Sequence, residues 1–360
     1  MQVDYLIVGQ GISGSFLSYY LYQAGKAVLV VDKIDPQSPS RLAAGVINPV
    51  TGRRMVTVWR ADEVLPFAWK AYQELGSYLG VKGISEKTII DFFPNPFMKE
   101  NFRKRAEEGN SFIQNVANPG RFLPYFNYEF GCGEILPAYT AHLENILPAW
   151  RNKLHEEGLI LEEEFQIEKL NIRESHITWT THDGRQVQSS KIIFCDGGSG
   201  FDNPFFKQLP FALNKGESLV LSIPGLPNNH IYKKSLALVP LDTADHFWIG
   251  SNYLWEFEDA NPTKQFRQEA EAALREWLKI PYSVLEHRAG IRPATVERRP
   301  FVGLHPHQPA VGILNGMGTK GCSLAPFFAR QLADHLLTGR PILPEANVHR
   351  FQKILSAKTG

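Results

Sequence analysis

Cysteine is scarce in this chain. Its 360 residues include three, Cys132, Cys195 and Cys322, spaced too widely for a disulfide framework or a zinc site. An excess of one charge is also missing. With 38 Lys and Arg against 37 Asp and Glu, the formal net charge is +1, which excludes a protein built mainly to neutralise phosphates but not a small basic patch. Nucleic acid is therefore not the expected partner. No uninterrupted apolar run approaches the roughly 20 residues that a bilayer span needs. Only Met1 and Gln2 precede the first apolar strand, so no signal peptide is expected, and the expected compartment is the cytoplasm. The 11 histidines show no metal-ligand spacing, so no metal is expected. There are no internal repeats and no low-complexity tract.

What is present begins with an apolar strand over residues 3–8 that runs into Gly9-Gln10-Gly11-Ile12-Ser13-Gly14. Ile12, Phe16, Leu17, Tyr20, Leu21 and Ala24 then recur at helical spacing, and Gly25 ends the helix. A second strand over 27–31 stops at Asp32. This order places a glycine turn, a helix N-terminus and a carboxylate where an adenine dinucleotide needs them. Gly9 permits the turn, Gly11 lets backbone approach a pyrophosphate, and Gly14 lets helix and strand pack closely. The amides of the first helical turn face phosphates, and Asp32 accepts from ribose hydroxyls.

At this length two intimately packed domains are expected. An amphipathic helix is predicted over 61–79, with Leu65, Ala68, Trp69, Tyr72 and Leu75 on one side. Next come two aromatic, proline-bearing stretches, residues 92–97 and 122–126, whose rings form a core or line an apolar pocket. A long helix is predicted over 135–158, starting near Pro137. Strands are predicted within 159–179, a turn at Gly184, and a buried strand over 191–198 ending in Asp196-Gly197-Gly198. Further strands fall at 219–221, 237–239 and 247–249, and a helix at 263–279. A strand at 311–314 leads to a glycine-rich loop at 316–323 and a helix at 324–337, with Pro326 in its first turn and Gly339 past its end. The fold class is α/β: a doubly wound, Rossmann-like dinucleotide-binding domain interleaved with a mixed, largely antiparallel-sheet substrate domain.

Several ordered motifs then add up. The segment Ser40-Arg41-Leu42-Ala43-Ala44-Gly45-Val46-Ile47-Asn48 is a small-residue loop. Gly290-Ile291-Arg292-Pro293-Ala294-Thr295 is followed by Pro300-Phe301-Val302-Gly303. Then come Asn315-Gly316-Met317-Gly318-Thr319-Lys320-Gly321 and Leu324-Ala325-Pro326. With the N-terminal fingerprint, these resemble the flavin-dependent amine and amino-acid oxidases, the group of D-amino-acid oxidase, glycine oxidase and sarcosine oxidase, along nearly the whole length. The resemblance implies a bound FAD. With arginine rather than cysteine at 292, no covalent flavin bond is expected.

The cofactor contacts implied are Gly9, Gly11, Ile12, Ser13, Gly14, Asp32, Lys33, Arg41, Ala43, Ala44, Gly45, Ile167, Asp196, Gly197, Gly198, Arg292, Gly316, Gly318, Thr319, Lys320 and Gly321. The late loop feeds a helix N-terminus whose amides and positive dipole end suit the negative edge of a reduced flavin. Arg292 and Lys320 are the expected catalytic-site residues. Arg292 reads as a bidentate carboxylate anchor or as a structural ion-pair partner. Lys320 reads as a second carboxylate contact or as a group over the flavin. Arg53, Arg54 and Tyr253 complete the expected substrate contacts, the two arginines at the entrance unless they simply face solvent. Leu241, Ala237 and Met317 depart from what many relatives carry, and the first two put a glycine-oxidase substrate in doubt.

The resemblance divides the chain into an FAD-binding domain (1–59, 134–205 and 288–360) and a substrate-binding domain (60–133 and 206–287). The expected function is oxidation of the C–N bond of a small amino acid or secondary amine bearing a carboxylate, by hydride transfer to flavin N5. Dioxygen or a carrier would accept the electrons. Two alternatives stay open: an oxidoreductase acting on the carboxymethylaminomethyl side chain of a tRNA wobble uridine, and a flavin-binding module without turnover. The oligomeric state is not legible.

Overall fold

Apolar runs with no polar alternation demand burial on both faces, and residues 5–8 and 28–31 form such runs. They sit at the centre of the first of two large sheets. The computed structural model describes residues 1–173 and 176–356. Residues 174–175, inside the alternating stretch 159–179, and 357–360, closing the expected FAD-binding region, lie outside the described residues.

In chain order the principal strands are β1 (Gln2–Val8), β2 (Val28–Val31), β3 (Ile84–Phe92), β4 (Cys132–Ala141), β5 (Gln186–Phe194), β6 (Asn214–Ser222), β7 (His230–Lys233), β8 (Ala237–Pro240), β9 (His246–Gly250), β10 (Ser283–Arg292) and β11 (Gln308–Asn315). The principal helices are α1 (Ile12–Gln23), α2 (Ala61–Leu79), α3 (Leu143–Glu156), α4 (Lys264–Trp277) and α5 (Gly321–Thr338).

The first sheet has a parallel centre in the order β2–β1–β5–β11. Antiparallel strands extend it: His176–Thr180 beside the early part of β5, and Phe301–His305 beside β11. Helices α1, α2, α3 and α5 share one hydrophobic core with this sheet. Phe16 meets Tyr72 edge to face at 5.0 Å. Trp150 is fully buried, and its Nε1 donates to Ser18 Oγ at 2.8 Å.

The second sheet runs β10–β6–β9–β8–β7–β3–β4, with Val46–Ile47 at its far edge. Its pairs are antiparallel except β7 beside β3. Helix α4 starts at Thr263, whose hydroxyl accepts from the Phe266 amide at 3.2 Å. It packs Phe266, Ala270, Leu274 and Trp277 against Leu219, Leu221, Phe247 and Ile249 on one face of the sheet. The opposite face packs on Ala44, Val50 and Met55. The small-residue loop after β2 is thereby clasped between the two sheets.

Two expected elements differ from the structure. The long helix over 135–158 is instead strand β4 followed by α3, which starts at Leu143. Pro137 does not open a helix. It falls at a register shift where β4 passes β3 between the pairs Ile89–Ile135 and Lys87–Ala138, a place where a residue without an N–H is tolerated. Helix α5 begins at Gly321, earlier than the expected 324. A Cβ at Gly321 would make only ordinary contact, 3.8 Å from Ile12 Cγ2 at the start of α1, so the helix starts there without needing the glycine for space. Strands β4 and β10 also run across the expected divisions at 133/134 and 287/288, and both pair within the second sheet. Among the described residues no helix is long and apolar enough to cross a membrane.

Trp150→Ala removes a ring from the centre of the helical layer. It is expected to lower the unfolding free energy by about 3–5 kcal/mol, read from denaturant melts against the unsubstituted protein.

Candidate active site

Four adjacent parallel strands end at one edge of the first sheet, and each ends in residues singled out from the sequence. Asp32 follows β2, Gly9 follows β1, Asp196-Gly197-Gly198 follows β5, and Gly316 follows β11. The first turn is possible only with glycine. Gly9 has φ +98°, and a Cβ there would lie 2.5 Å from the Cys195 carbonyl oxygen. A Cβ on Gly14 would lie 1.9 Å from the Gly9 carbonyl oxygen. Gly11 caps α1 without a side chain, and Ser40 Oγ accepts from the Ile12 amide at 3.1 Å. Ser13 lies in the same buried first turn of α1.

Asp32 sits in a network that sequence reasoning missed. Its Oδ1 accepts from the Gln10 amide at 2.7 Å, and its Oδ2 accepts from Arg151 Nη1 at 2.7 Å. Arg151 is 5% exposed, and it also donates to the Asp32 carbonyl (3.0 Å), Gln10 Oε1 (3.2 Å) and Glu162 Oε1 (2.8 Å). Arg41 Nη2 donates to the same Gln10 oxygen at 3.2 Å. Burial draws the Arg41 pKa down, partly opposed by Asp32. Each carboxylate oxygen accepts two hydrogen bonds, so Asp32 keeps capacity for two ribose hydroxyls. The sequence signal for Arg151 was a polar residue on the buried side of an amphipathic helix, beside Leu147, Trp150 and Leu154.

Asn315 clasps the second and third turns. Its Nδ2 donates to Asp196 Oδ1 and to the Gly197 carbonyl, both at 2.9 Å, while its Oδ1 accepts from the Gly316 amide at 2.7 Å. Asn203 Nδ2 donates to Asp196 Oδ2 at 3.0 Å. Burial pushes the Asp196 carboxyl up to about 6. The late loop then forms a single 3-10 turn, Gly318–Lys320, with Thr319 exposed, before α5 starts at Gly321. The Gly318 amide donates to the Pro293 carbonyl at 3.0 Å, tying the loop to the residue after Arg292.

Arg292 closes β10 over β6. A Cβ on Gly216 would lie 1.6 Å from its Nη2, so that glycine makes room for the guanidinium. Nη1 donates to Asn214 Oδ1 (2.7 Å) and the Asn252 carbonyl (3.3 Å), and Nη2 donates to Ser251 Oγ (2.7 Å). The Tyr253 ring lies 5.2 Å away. These partners are neutral, and among the described residues no carboxylate pairs with Arg292 or with Lys320. Burial lowers the Arg292 pKa, with Tyr253 opposing. Burial also pulls Lys320 down to about 8, helped by the Lys233 ammonium.

The remaining expected residues are placed as follows. Gly45 has φ +72°, and a Cβ there would lie 1.9 Å from the Ala141 carbonyl oxygen. Ala43 follows the short helix Pro39–Leu42, and Ala44 is buried against the second sheet. Gly198 lies in the 3-10 turn after Asp196. Lys33 pairs with Glu164 at the surface (3.1 Å), and Ile167 packs in the core on the other side of the first sheet. Arg53 and Arg54 are exposed. Their carbonyls accept from Asn101 and Arg105 of the helix Pro96–Glu107. His142, Glu144 and Asp242 gather ligand atoms within 4.8 Å of one another, a cluster with no signature in the sequence. Asp242 there already receives Asn145 Nδ2 at 3.0 Å and lies 3.6 Å from Lys82 Nζ.

Residues 4–335 match the family described as DAO, FAD dependent oxidoreductase. The chain belongs to this family. Among curated proteins, a glycine oxidase of Pseudomonas aeruginosa is 27% identical over 168 residues. That alignment covers 45% of this chain and 45% of the relative, so the chain spans less than half the length of the curated relative it matches. Among solved structures, a glycine oxidase from Geobacillus kaustophilus superposes with TM-score 0.80 at 16% identity, covering 96% of each chain. An iminodiacetate oxidase from Chelativorans sp. BNC1 superposes with TM-score 0.78 at 18% identity, covering 95% of this chain and 97% of that one. Both share the fold. FAD is the cofactor of the DAO family.

Arg151→Met leaves Asp32 without its buried cation. It is expected to weaken FAD binding by about 10- to 100-fold, the loss of one charge-assisted contact, measured by flavin fluorescence on titrating apoprotein.

Proposed function

We propose that the protein oxidises the C–N bond of a small amino acid or secondary amine that bears a carboxylate. One observation carries this reading. Arg292 is a largely buried cation whose three hydrogen bonds go to neutral acceptors. A guanidinium has five N–H donors. Three are used, and Nε–H with one Nη2–H remain for bidentate pairing with a carboxylate. Burying a cation without a counter-ion is costly, and an anionic ligand offsets that cost. The names of the similar proteins, glycine oxidase and iminodiacetate oxidase, support an amino-acid or imino-acid substrate.

The residues present fit FAD. Asp32 would take the ribose hydroxyls, and the α1 N-terminus would face the pyrophosphate. The Asp196 and Gly316 turns, with the start of α5, would hold the flavin end. Bound FAD supplies the hydride acceptor for the oxidation. The chain's own part is positional and electrostatic. Arg292, fixed by Asn214, Ser251 and the Asn252 carbonyl, orients the substrate by its carboxylate. Tyr253, 57% exposed, borders the anchor. The start of α5 directs its positive dipole end into the site. No side-chain base is assigned, because an amine that arrives unprotonated needs none.

Anaerobic mixing of the purified yellow protein with amino acids and secondary amines is expected to bleach the flavin absorbance. A spectrum unmoved by any amine would leave a flavin-binding module, and bleaching confined to tRNA bearing the modified uridine would establish the nucleic-acid reading. Arg292→Lys is expected to weaken carboxylate-bearing substrates by about 10- to 100-fold, with about twofold or less on neutral amines. Equal effects would refute the anchor. Lys320 is charged below about pH 8 and neutral above. Carboxylate affinity is therefore expected to fall as pH rises through about 8, and Lys320→Met is expected to remove that limb of the profile.

A further inference from the structure

Strand register places five residues in one row across the second sheet. Ser218 pairs with Gly250, Gly250 with Ala237, Ala237 with Lys233, and Lys233 with Asp91. Side chains of directly paired residues share a face. That face is the one turned to the loop after β2: Trp248 Nε1 donates to the Leu42 carbonyl at 3.1 Å, and Ile231 and Val239 pack with Ala44. Gly216, two residues before Ser218, lies on the same face beneath the Arg292 guanidinium. The middle of the face is built of the small residues Gly216, Ser218, Gly250 and Ala237, and the Trp248 ring takes up the space that a Cβ on Gly250 would need, 2.7 Å away. The Arg292 guanidinium, reaching from β10, stands over one end, above Gly216 of β6. Lys233 stands at the other, on β7, three strand spacings or about 14 Å away.

Lys233 is not a free surface lysine. Its Nζ lies 2.8 Å from Asp91 Oδ2. Asp91 is 1% exposed, and its Oδ1 has no hydrogen-bond partner among the described residues. Burial raises the Asp91 pKa, opposed by Lys233. The ammonium has three donors, one of them committed to Asp91, and the side chain remains 26% exposed. Lys320, in the loop after β11, is close enough to feel the Lys233 charge. Arg292 and Lys233 thus stand at the two ends of this small-residue stretch, and among the described residues Asp91 is the only carboxylate paired with either. A substrate with one carboxylate uses Arg292 and leaves the far pair unanswered.

We propose that Lys233, held by Asp91, is a specificity residue that receives a second acidic group, so that the preferred substrates are amines carrying two carboxylates. This rests on Arg292 as the anchor for the first.

The test uses FAD-loaded protein and two inert five-carbon acids, glutarate with two carboxylates and valerate with one, titrated calorimetrically. Glutarate is expected to bind about tenfold or more tightly than valerate, the scale of one charge-assisted contact. Lys233→Met is expected to abolish that advantage, while Arg292→Lys weakens both acids. Should the single variant fail to fold with Asp91 left unpaired, Asp91→Asn combined with Lys233→Met removes both charges together and gives the same readout. Equal affinities in the unsubstituted protein, or a glutarate advantage that survives loss of Lys233, would overturn the proposal and leave the pair a structural tether. Neither acid is oxidised, so the result stands apart from amine turnover: a protein that prefers glutarate through Lys233 yet bleaches with no amine sinks the oxidation reading alone.

Discussion

The two-sided pairing of β5 is the constraint on which the site depends. Residues 192–194 bond in parallel to β1 on one side and to β11 on the other. That places the ends of three strands from distant parts of the sequence side by side, and β2 adds a fourth. Parallel neighbours point their carboxyl ends the same way, and open sheets of this kind bind ligands just beyond those ends. The glycines follow as a consequence. Turns that crowd together at one edge leave no room for Cβ atoms, as the 1.9 Å approach at Gly14 demonstrates.

The second sheet contributes charge where the first contributes backbone. Arg292 and Lys233 stand on one face of the second sheet, Lys320 is close enough to feel the Lys233 charge, and the buried acid Asp91 pairs with Lys233. Such an arrangement opposes folding unless neutral dipoles or ligands compensate it. The structure compensates Arg292 with Asn214, Ser251 and a carbonyl, which hold the guanidinium in place without discharging it. A carboxylate partner from the chain would have stabilised the fold more and blocked an anionic ligand.

Much of this was legible in the sequence because its signals are local. The glycine turn after β1, Asp32 after β2, and the helices over 61–79 and 263–279 each declare themselves within about twenty residues. Arg292 was found through the ordered motif around it. The missed features depend on partners distant in sequence. Pro137 looks like a helix start until β3 supplies the bulge that accommodates it. Arg151 serves Asp32 from 119 residues away, and Asn315 reaches Asp196 across a similar gap. Lys233 and Asp91 become a pair only through sheet register, which no local periodicity encodes.

Strand β1 ends up in the interior of its sheet. Tyr5 of β1 pairs with Val28 early but with Lys191 only much later. On the ribosome, β1 must therefore wait for β5 with one hydrogen-bonding edge open, and α1 waits for α5. An exposed apolar edge of this kind invites association with other nascent chains.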